Sequence, residues 1–442
     1  MVKKSEFIWN SISSVVAAML SAVLLLFCTR INGTTAAGIF SIAFATSVIL
    51  NAIGDYGIRV YQVTDVNRKY KFGEYLALRV VVVTIMFIIG IAFVIISGYE
   101  LEKLTICLLL ILFRVIDNLS ETYQGEFQIQ GRLDIGSKSV VIRNLMAIIA
   151  FLIADVITKN LTISTLVLFV TNLGLFLLYD LNKIKKYTNE KIDFNVNSLK
   201  VLLKECFPIC ISTLLSLYIT NAVKYAIDGT GDYDMQTYYN IIYLPTFTIN
   251  LASMFIIKPM FKAFGEYWNG GKIKEFTRTI AILILLIVIL TILVEVVCFF
   301  IGIPILNLIY GVNLNEYKID LLILVLSGCF YAISILMLSV STTIRRQKVT
   351  TYIYIISSIV ALIVPKMLIK GMGMRGASIS NVIITIVLAV LLSLVYIKEA
   401  YTKYRLAGME RRWTSSGYRR KKLENRSYSN KNCSSKKYIS RI

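Results

Sequence analysis

The chain has 442 residues, of which 57% are hydrophobic and 17% charged, with a mean hydropathy of +0.70. A soluble multidomain enzyme is excluded, because that much apolar surface does not fit into soluble cores. The sequence holds no histidine, which removes the commonest general base and the commonest metal ligand, and nothing in it calls for a metal or a cofactor. The net charge is +21, about half of it in the last 44 residues, which carry 13 Lys/Arg against three Glu. Seven scattered cysteines, six of them in apolar runs, suggest no disulfide framework. Cys206 and Cys210 lie four apart on one helix but lack a third ligand, so core packing is their expected role.

Crossing roughly 30 Å of hydrocarbon takes about 20 apolar residues as a helix, and twelve stretches of this chain read as spans. The first, 12–29, follows Lys3 and Lys4 but is too long, and lacks the cleavage site, to be a secretory signal. Arg30 stands at its outer end. The second, 38–58, runs into Asn51, Asp55, Arg59 and Gln62 at helical spacing, with Arg59 able to snorkel to the inner interface. The third is 76–97. The fourth, 104–123, carries Arg114, Asp117, Glu121, Gln124 and Gln128 at intervals of three and four, which places them along one helix face. Such a stripe lines a cavity, or else Arg114 and Asp117 neutralise each other between packed helices. The fifth, 140–157, has an uncharged run of only eleven residues between Arg143 and Asp155, and the sixth is 161–181; without the fourth and fifth, ten spans would remain.

The seventh span, 203–227, places Ser212, Ser216, Thr220, Lys224 and Asp228 at steps of four. Each step drifts by about 40° around a helix, so Thr220, Lys224 and Asp228 form the compact part of that face, with Lys224 about one turn inside the outer end. The eighth, 237–264, has Lys258 near its inner end, and the ninth, 279–301, carries the isolated carboxylate Glu295, a proton-coupling candidate or a packing partner. The last three are 321–344, 350–369 and 376–397. Gly371, Gly373 and Gly376 match the dinucleotide pattern G-x-G-x-x-G but follow no soluble strand; they are expected to form a tight turn between closely packed helices.

With the N-terminus in the cytoplasm, the inner segments before the tail hold 20 Lys/Arg and the outer loops fewer than half as many, so both termini are expected inside. The tail, 399–442, is basic and poor in aliphatic residues, hence expected to be disordered. Its charges suit anionic lipid headgroups or simple solvation better than nucleic acid, for which no reading surface exists. A charged group at mid-membrane costs about 2.5–3.5 kcal/mol unless it faces protein or water. The charges inside the spans are therefore the site candidates: the cations Arg114, Lys224, Arg59, Arg30 and Lys258, and the polar or coupling groups Asp55, Asp117, Glu121, Gln124, Thr220, Asp228 and Glu295.

Residues 54–66 (Gly-Asp-Tyr-Gly-Ile-Arg-Val-Tyr-Gln-Val-Thr-Asp-Val), 120–128 (Ser-Glu-Thr-Tyr-Gln-Gly-Glu-Phe-Gln) and 131–134 (Gly-Arg-Leu-Asp), set in the twelve-span layout, resemble the bacterial polysaccharide-repeat flippases. These belong to the multidrug/oligosaccharidyl-lipid/polysaccharide exporter superfamily. Residues 33–40 and 373–377 are similar too, and the resemblance extends over 5–398. It implies an all-α integral membrane fold of two six-helix bundles around a central cavity, divided as 1–181, a cytoplasmic linker 182–202, and 203–398. It also implies alternating access by rocking one bundle against the other. The implied cargo is an undecaprenyl diphosphate carrying an oligosaccharide repeat, flipped from the inner to the outer leaflet of the bacterial plasma membrane. Membrane lipids and other polysaccharide-assembly proteins are the implied partners. Cations suit the phosphates of that cargo. A drug or organic-cation antiporter of the same superfamily would want carboxylates dominating the cavity. A glycan polymerase would want a larger catalytic outer loop than 302–320, which holds only Glu316 and Asp320 as acids.

Overall fold

The computed structural model describes residues 4–65, 68–257 and 260–436; the side chains at 4, 7, 64, 261, 262, 347 and 406–436 fall outside that description. All its regular structure is helical. In the first half, α1 (Lys4–Asn32), α2 (Thr34–Asp55), the short α3 (Ile58–Thr64), α4 (Phe72–Ile96) and α5 (Leu101–Ile129) are followed by α6 (Leu133–Thr158), α7 (Leu161–Leu175) and α8 (Leu181–Ile184). A π-helical turn, Phe176–Asp180, joins α7 to α8. In the second half come α9 (Val196–Asp228), α10 (Tyr233–Ile257), α11 (Phe261–Asn269), α12 (Ile273–Val297), α13 (Ile303–Tyr310), α14 (Lys318–Thr343) and α15 (Gln347–Lys436).

Among the described residues, ten helical stretches are long and apolar enough to cross a membrane. The twelve-span reading differs from this count for two physical reasons. The fourth expected span is α5, whose 29 residues would extend about 43 Å; its polar stripe lowers its mean hydropathy, but a helix buried among α2, α4 and α7 can hide that stripe in protein. The eleventh and twelfth spans are one continuous stretch, Lys348–Arg405, folded back on itself at Gly373. Gly373 has φ 54° and ψ −129°, a conformation that a Cβ would oppose. Three residues on, Gly376 lies so close to the backbone of Leu368 that no side chain would fit. The reversal anticipated from the three glycines is therefore what joins the two arms of α15.

Residues 399–405 correct one expectation. They continue α15 as helix, because Glu399 accepts a hydrogen bond from Arg346 at 2.9 Å and the Lys403 ammonium lies 4.1 Å above the Trp268 ring. The rest of the basic tail lies outside the described side chains.

Within the first half α1 packs against α6, α6 against α7, and α5 against α2, α4 and α7; within the second, α14 packs against α15, α10 and α12. The halves meet along α2, which lies against both α9 and α10. At the membrane face opposite the N-terminus they are held together where Thr237 donates to the Thr34 carbonyl at 2.7 Å and Thr35 to Asp234 at 2.9 Å, and deeper along α2 Tyr225 donates to Thr46 at 3.0 Å. Gly38 presses on the backbone of Tyr233 at the same seam.

Candidate functional site

The two halves enclose a cavity of about 370 Å³. From α1, α2 and α5 come Ser21, Ser41, Phe44 and Arg114, and from α9, α10 and α14 come Thr220, Asn221, Lys224, Asn240, Tyr243 and Tyr331. Among the described residues its lining holds no Asp or Glu. Its two basic residues come one from each half. The Lys224 ammonium has no ion-pair partner among the described residues, while Arg114 lies 4.9 Å from the Phe44 ring and 3.3 Å from Asp117.

A second chamber, about 250 Å³, adjoins the first toward the N-terminal face of the membrane and shares Ala17 and Arg114 with it. It collects Arg59, Arg114, Arg143, Asp117, Glu121 and Gln124, so its charges nearly balance. Asp117 accepts from Arg114 at 3.3 Å and from Arg143 at 3.2 Å, and Asn172 takes the second bond of Arg143 at 2.7 Å. Arg59 donates to Gln124 at 3.0 Å and to Gln128 at 3.4 Å. The stripe read from α5 is thus a real face, and it receives arginines from α3 and α6.

Two arginines that hold this region together were missed as functional candidates. Arg79, near the start of α4, is fully buried; its Nε donates to Thr122 at 2.9 Å, and its Nη1 donates to the carbonyls of Gly54 at 2.5 Å and Asp55 at 2.9 Å and to Asn118 at 3.1 Å. Its guanidinium also lies 3.9 Å from the Asp55 carboxylate and 3.8 Å from Glu121. Arg143 lies 3.7 Å from the buried Asp180. The available sequence signal was an arginine inside an apolar run, which is costly unless it is bonded on all sides.

Three expected site residues belong elsewhere. Arg30 donates to the carbonyls of Leu308 and, at 2.8 Å, Ile309. It thereby caps the end of α13, where the last carbonyls have no intrahelical partner and the helix dipole favours a cation. Asp228 turns away from Thr220 and Lys224: it pairs with Lys103 and accepts from the Tyr99 hydroxyl at 3.2 Å, in a separate cleft. The drift of a helix face over two steps of four accounts for that separation. Glu295 lines neither chamber, because α12 packs against α14 and α10 away from the α2 seam; one of its carboxylate oxygens has no hydrogen-bond partner. Lys258 lies outside the described residues.

Below α3 the chain turns through a short loop at Asp65, which accepts from the backbone amides of Lys69 at 2.9 Å and Tyr70 at 3.0 Å and from the Tyr75 hydroxyl at 3.0 Å. Burial by itself would raise its pKa, but these donors outweigh burial and hold the carboxyl below the ordinary carboxylate range. The neighbouring Arg68 reaches Glu126 of α5 at 3.1 Å.

No family model matches the chain. It is 24% identical over 353 residues to the capsular polysaccharide biosynthesis protein CapF of Staphylococcus aureus, covering 76% of this chain and 85% of that protein. Among solved structures it resembles a multidrug resistance MATE family transporter of the MOP superfamily in its inward-facing conformation. The TM-score is 0.72 at 10% identity, over 88% of this chain and 95% of that one. It also resembles the lipid II flippase MurJ in an inward closed conformation, with a TM-score of 0.69 at 14% identity, over 90% of each chain. These counterparts are transporters and a flippase rather than enzymes. The chain therefore has the multi-pass membrane fold of the multidrug/oligosaccharidyl-lipid/polysaccharide exporter superfamily.

Proposed function

We propose that this protein flips an undecaprenyl-diphosphate-linked oligosaccharide repeat from the inner to the outer leaflet of the bacterial plasma membrane, with both its termini in the cytoplasm. The observation that carries this reading is the cationic lining of the central cavity, where, among the described residues, Lys224 has no ion-pair partner and Arg114, itself 3.3 Å from Asp117 of the inner chamber, faces the same space, with no Asp or Glu in the lining. An anionic headgroup gains charge-assisted bonds there, while amides and phenols such as Asn221, Asn240, Tyr243 and Tyr331 can serve the hydroxyls of a glycan. The polyprenyl chain can remain in lipid throughout. Supporting this, the MurJ counterpart is a lipid II flippase and the CapF relative a capsular polysaccharide biosynthesis protein.

The rival reading, cation or drug antiport, draws support from the MATE likeness and from Asp117 and Glu121 in the inner chamber. Those carboxylates, however, already face guanidinium groups. The seam at the far face is closed while the inner chamber adjoins the cavity, so a headgroup entering from the N-terminal side meets Arg59 and Arg114 before Lys224. Lys224→Ala should reduce surface polysaccharide about tenfold or more while the protein accumulates normally, since a bond to a charged group is worth about 1.5–3 kcal/mol, and Lys224→Arg should restore most of it. Normal polysaccharide with altered resistance to cationic drugs would favour the antiporter.

A further inference from the structure

At the membrane face opposite the N-terminus, a cleft of about 650 Å³ opens between α4 and α5 on one side and α9 and α15 on the other. It is separate from the central cavity. Its floor is apolar, built from Ile49, Phe93, Ala226 and Leu362, and its rim is polar, with Tyr99, Lys103 and the exposed Glu100 on the α4–α5 side and Asp228, Tyr233 and Lys366 across from them. The rim residues are not equivalent. Lys103 is buried and committed: its ammonium pairs with Asp228 and lies 3.7 Å from the centre of the Tyr99 ring and 5.1 Å from that of Tyr233. That pair is neutral as a unit and joins the two walls of the cleft.

Lys366 differs on every count. It is exposed, sits on α15 seven residues before the reversal at Gly373, and has no ion-pair partner among the described residues. Seven residues of helix amount to about 10 Å, and a lysine stem can lift its ammonium most of the way back toward the membrane surface. On its α15 wall the cleft therefore offers a cation uncommitted among the described residues, with the exposed Glu100 on the opposite wall and apolar side chains lining the space between. This is the polarity profile of an amphiphile with a phosphate head. A free sugar would leave the floor unused, and a plain hydrocarbon would leave the rim unused.

We propose that this cleft is a binding site for a phosphate-bearing anionic lipid of the outer leaflet, with the phosphate on Lys366 and a hydrocarbon chain along Phe93 and Leu362. Its walls come from both halves, so the bound lipid lies across the seam that Lys103 and Asp228 close. The proposal stands apart from what the central cavity carries.

The test is lipid retention by the purified full-length protein in native mass spectrometry. The probes are phosphatidylglycerol, undecaprenyl diphosphate and, as a zwitterionic control, phosphatidylcholine; the proteins are the wild type, Lys366→Gln, Leu362→Trp and Lys224→Ala. Expected is retention of at least one anionic probe over phosphatidylcholine, weakened about tenfold by Lys366→Gln and abolished or nearly so by Leu362→Trp, which fills the floor, with phosphatidylglycerol retention unchanged in Lys224→Ala and any loss there confined to undecaprenyl diphosphate held in the central cavity. Retention of both anionic probes would assign the site to bulk membrane lipid, and of undecaprenyl diphosphate alone to polyprenyl lipid; either supports the proposal. Retention insensitive to both cleft substitutions, or phosphatidylglycerol retention lost in Lys224→Ala, would overturn it. Because surface polysaccharide is not the readout, failure here leaves the transport reading to its own test.

Discussion

Gly38 offers the most direct handle on how the two halves move. A Cβ added there would stand 2.7 Å from the carbonyl carbon of Tyr233 and 2.9 Å from its Cα, nearer still to the carbonyl oxygen, whereas ordinary contacts begin at 3.4 Å. The opposing atoms are backbone, so no side chain can swing aside. Gly38→Ala must push α2 and α10 apart at the far face, and overpacking of that kind costs about 1–3 kcal/mol. The contact exists only while that face is shut, so the cost falls on this conformation and not on one with the seam open. The population should shift toward the open form by about 5- to 150-fold. Ser41 lines the central cavity on the same helix. A cysteine placed there should therefore react with a membrane-impermeant thiol reagent in intact cells at least about fivefold faster when Gly38→Ala is also present. Equal labelling rates in two well-folded proteins would refute the argument that this glycine governs closure.

Further outcomes follow from the same structure. Arg79→Ala should destabilise the protein by about 3–5 kcal/mol by leaving Asp55 and Glu121 without their buried cation, and Arg79→Lys should not restore the melting temperature, because an ammonium cannot reproduce the planar fork. For Asp65, a carboxyl held below its ordinary range contributes stability that is present above the unfolded value and lost as pH falls through the folded one. The melting-temperature gap between wild type and Asp65→Ala should thus be constant from about pH 7 to 5 and shrink below about pH 4; a gap still undiminished near pH 3 would remove the carboxylate from the account. For topology, a cysteine at Thr230, in the short turn between α9 and α10, should be labelled from outside intact cells. Labelling only after permeabilisation would reverse the orientation taken from the basic loops.

The sequence by itself determined that the chain crosses the membrane repeatedly as helices and that α5 carries a polar face, because both depend on local quantities. An apolar run of sufficient length must cross as a helix to satisfy its own backbone, and the three-and-four spacing of Arg114, Asp117, Glu121, Gln124 and Gln128 fixes that they share a side. Even the reversal at Gly373 was visible as a glycine cluster. Only the tertiary structure decided what each face meets. Arg114 and Lys224 line one cavity, whereas Arg30 binds carbonyls nearly 280 residues away and Asp228 pairs with Lys103, 125 residues away. Arg79 and Arg143, passed over as functional candidates, turned out to bind the arginine-rich chamber together. Periodicity records the angle of a side chain about its own helix axis and carries no term for the neighbouring helix. In a chain whose helices are mostly apolar, many packings satisfy the hydrophobic pattern equally well. The choice among them rests on a few buried charges, each of which must find its partner across the bundle.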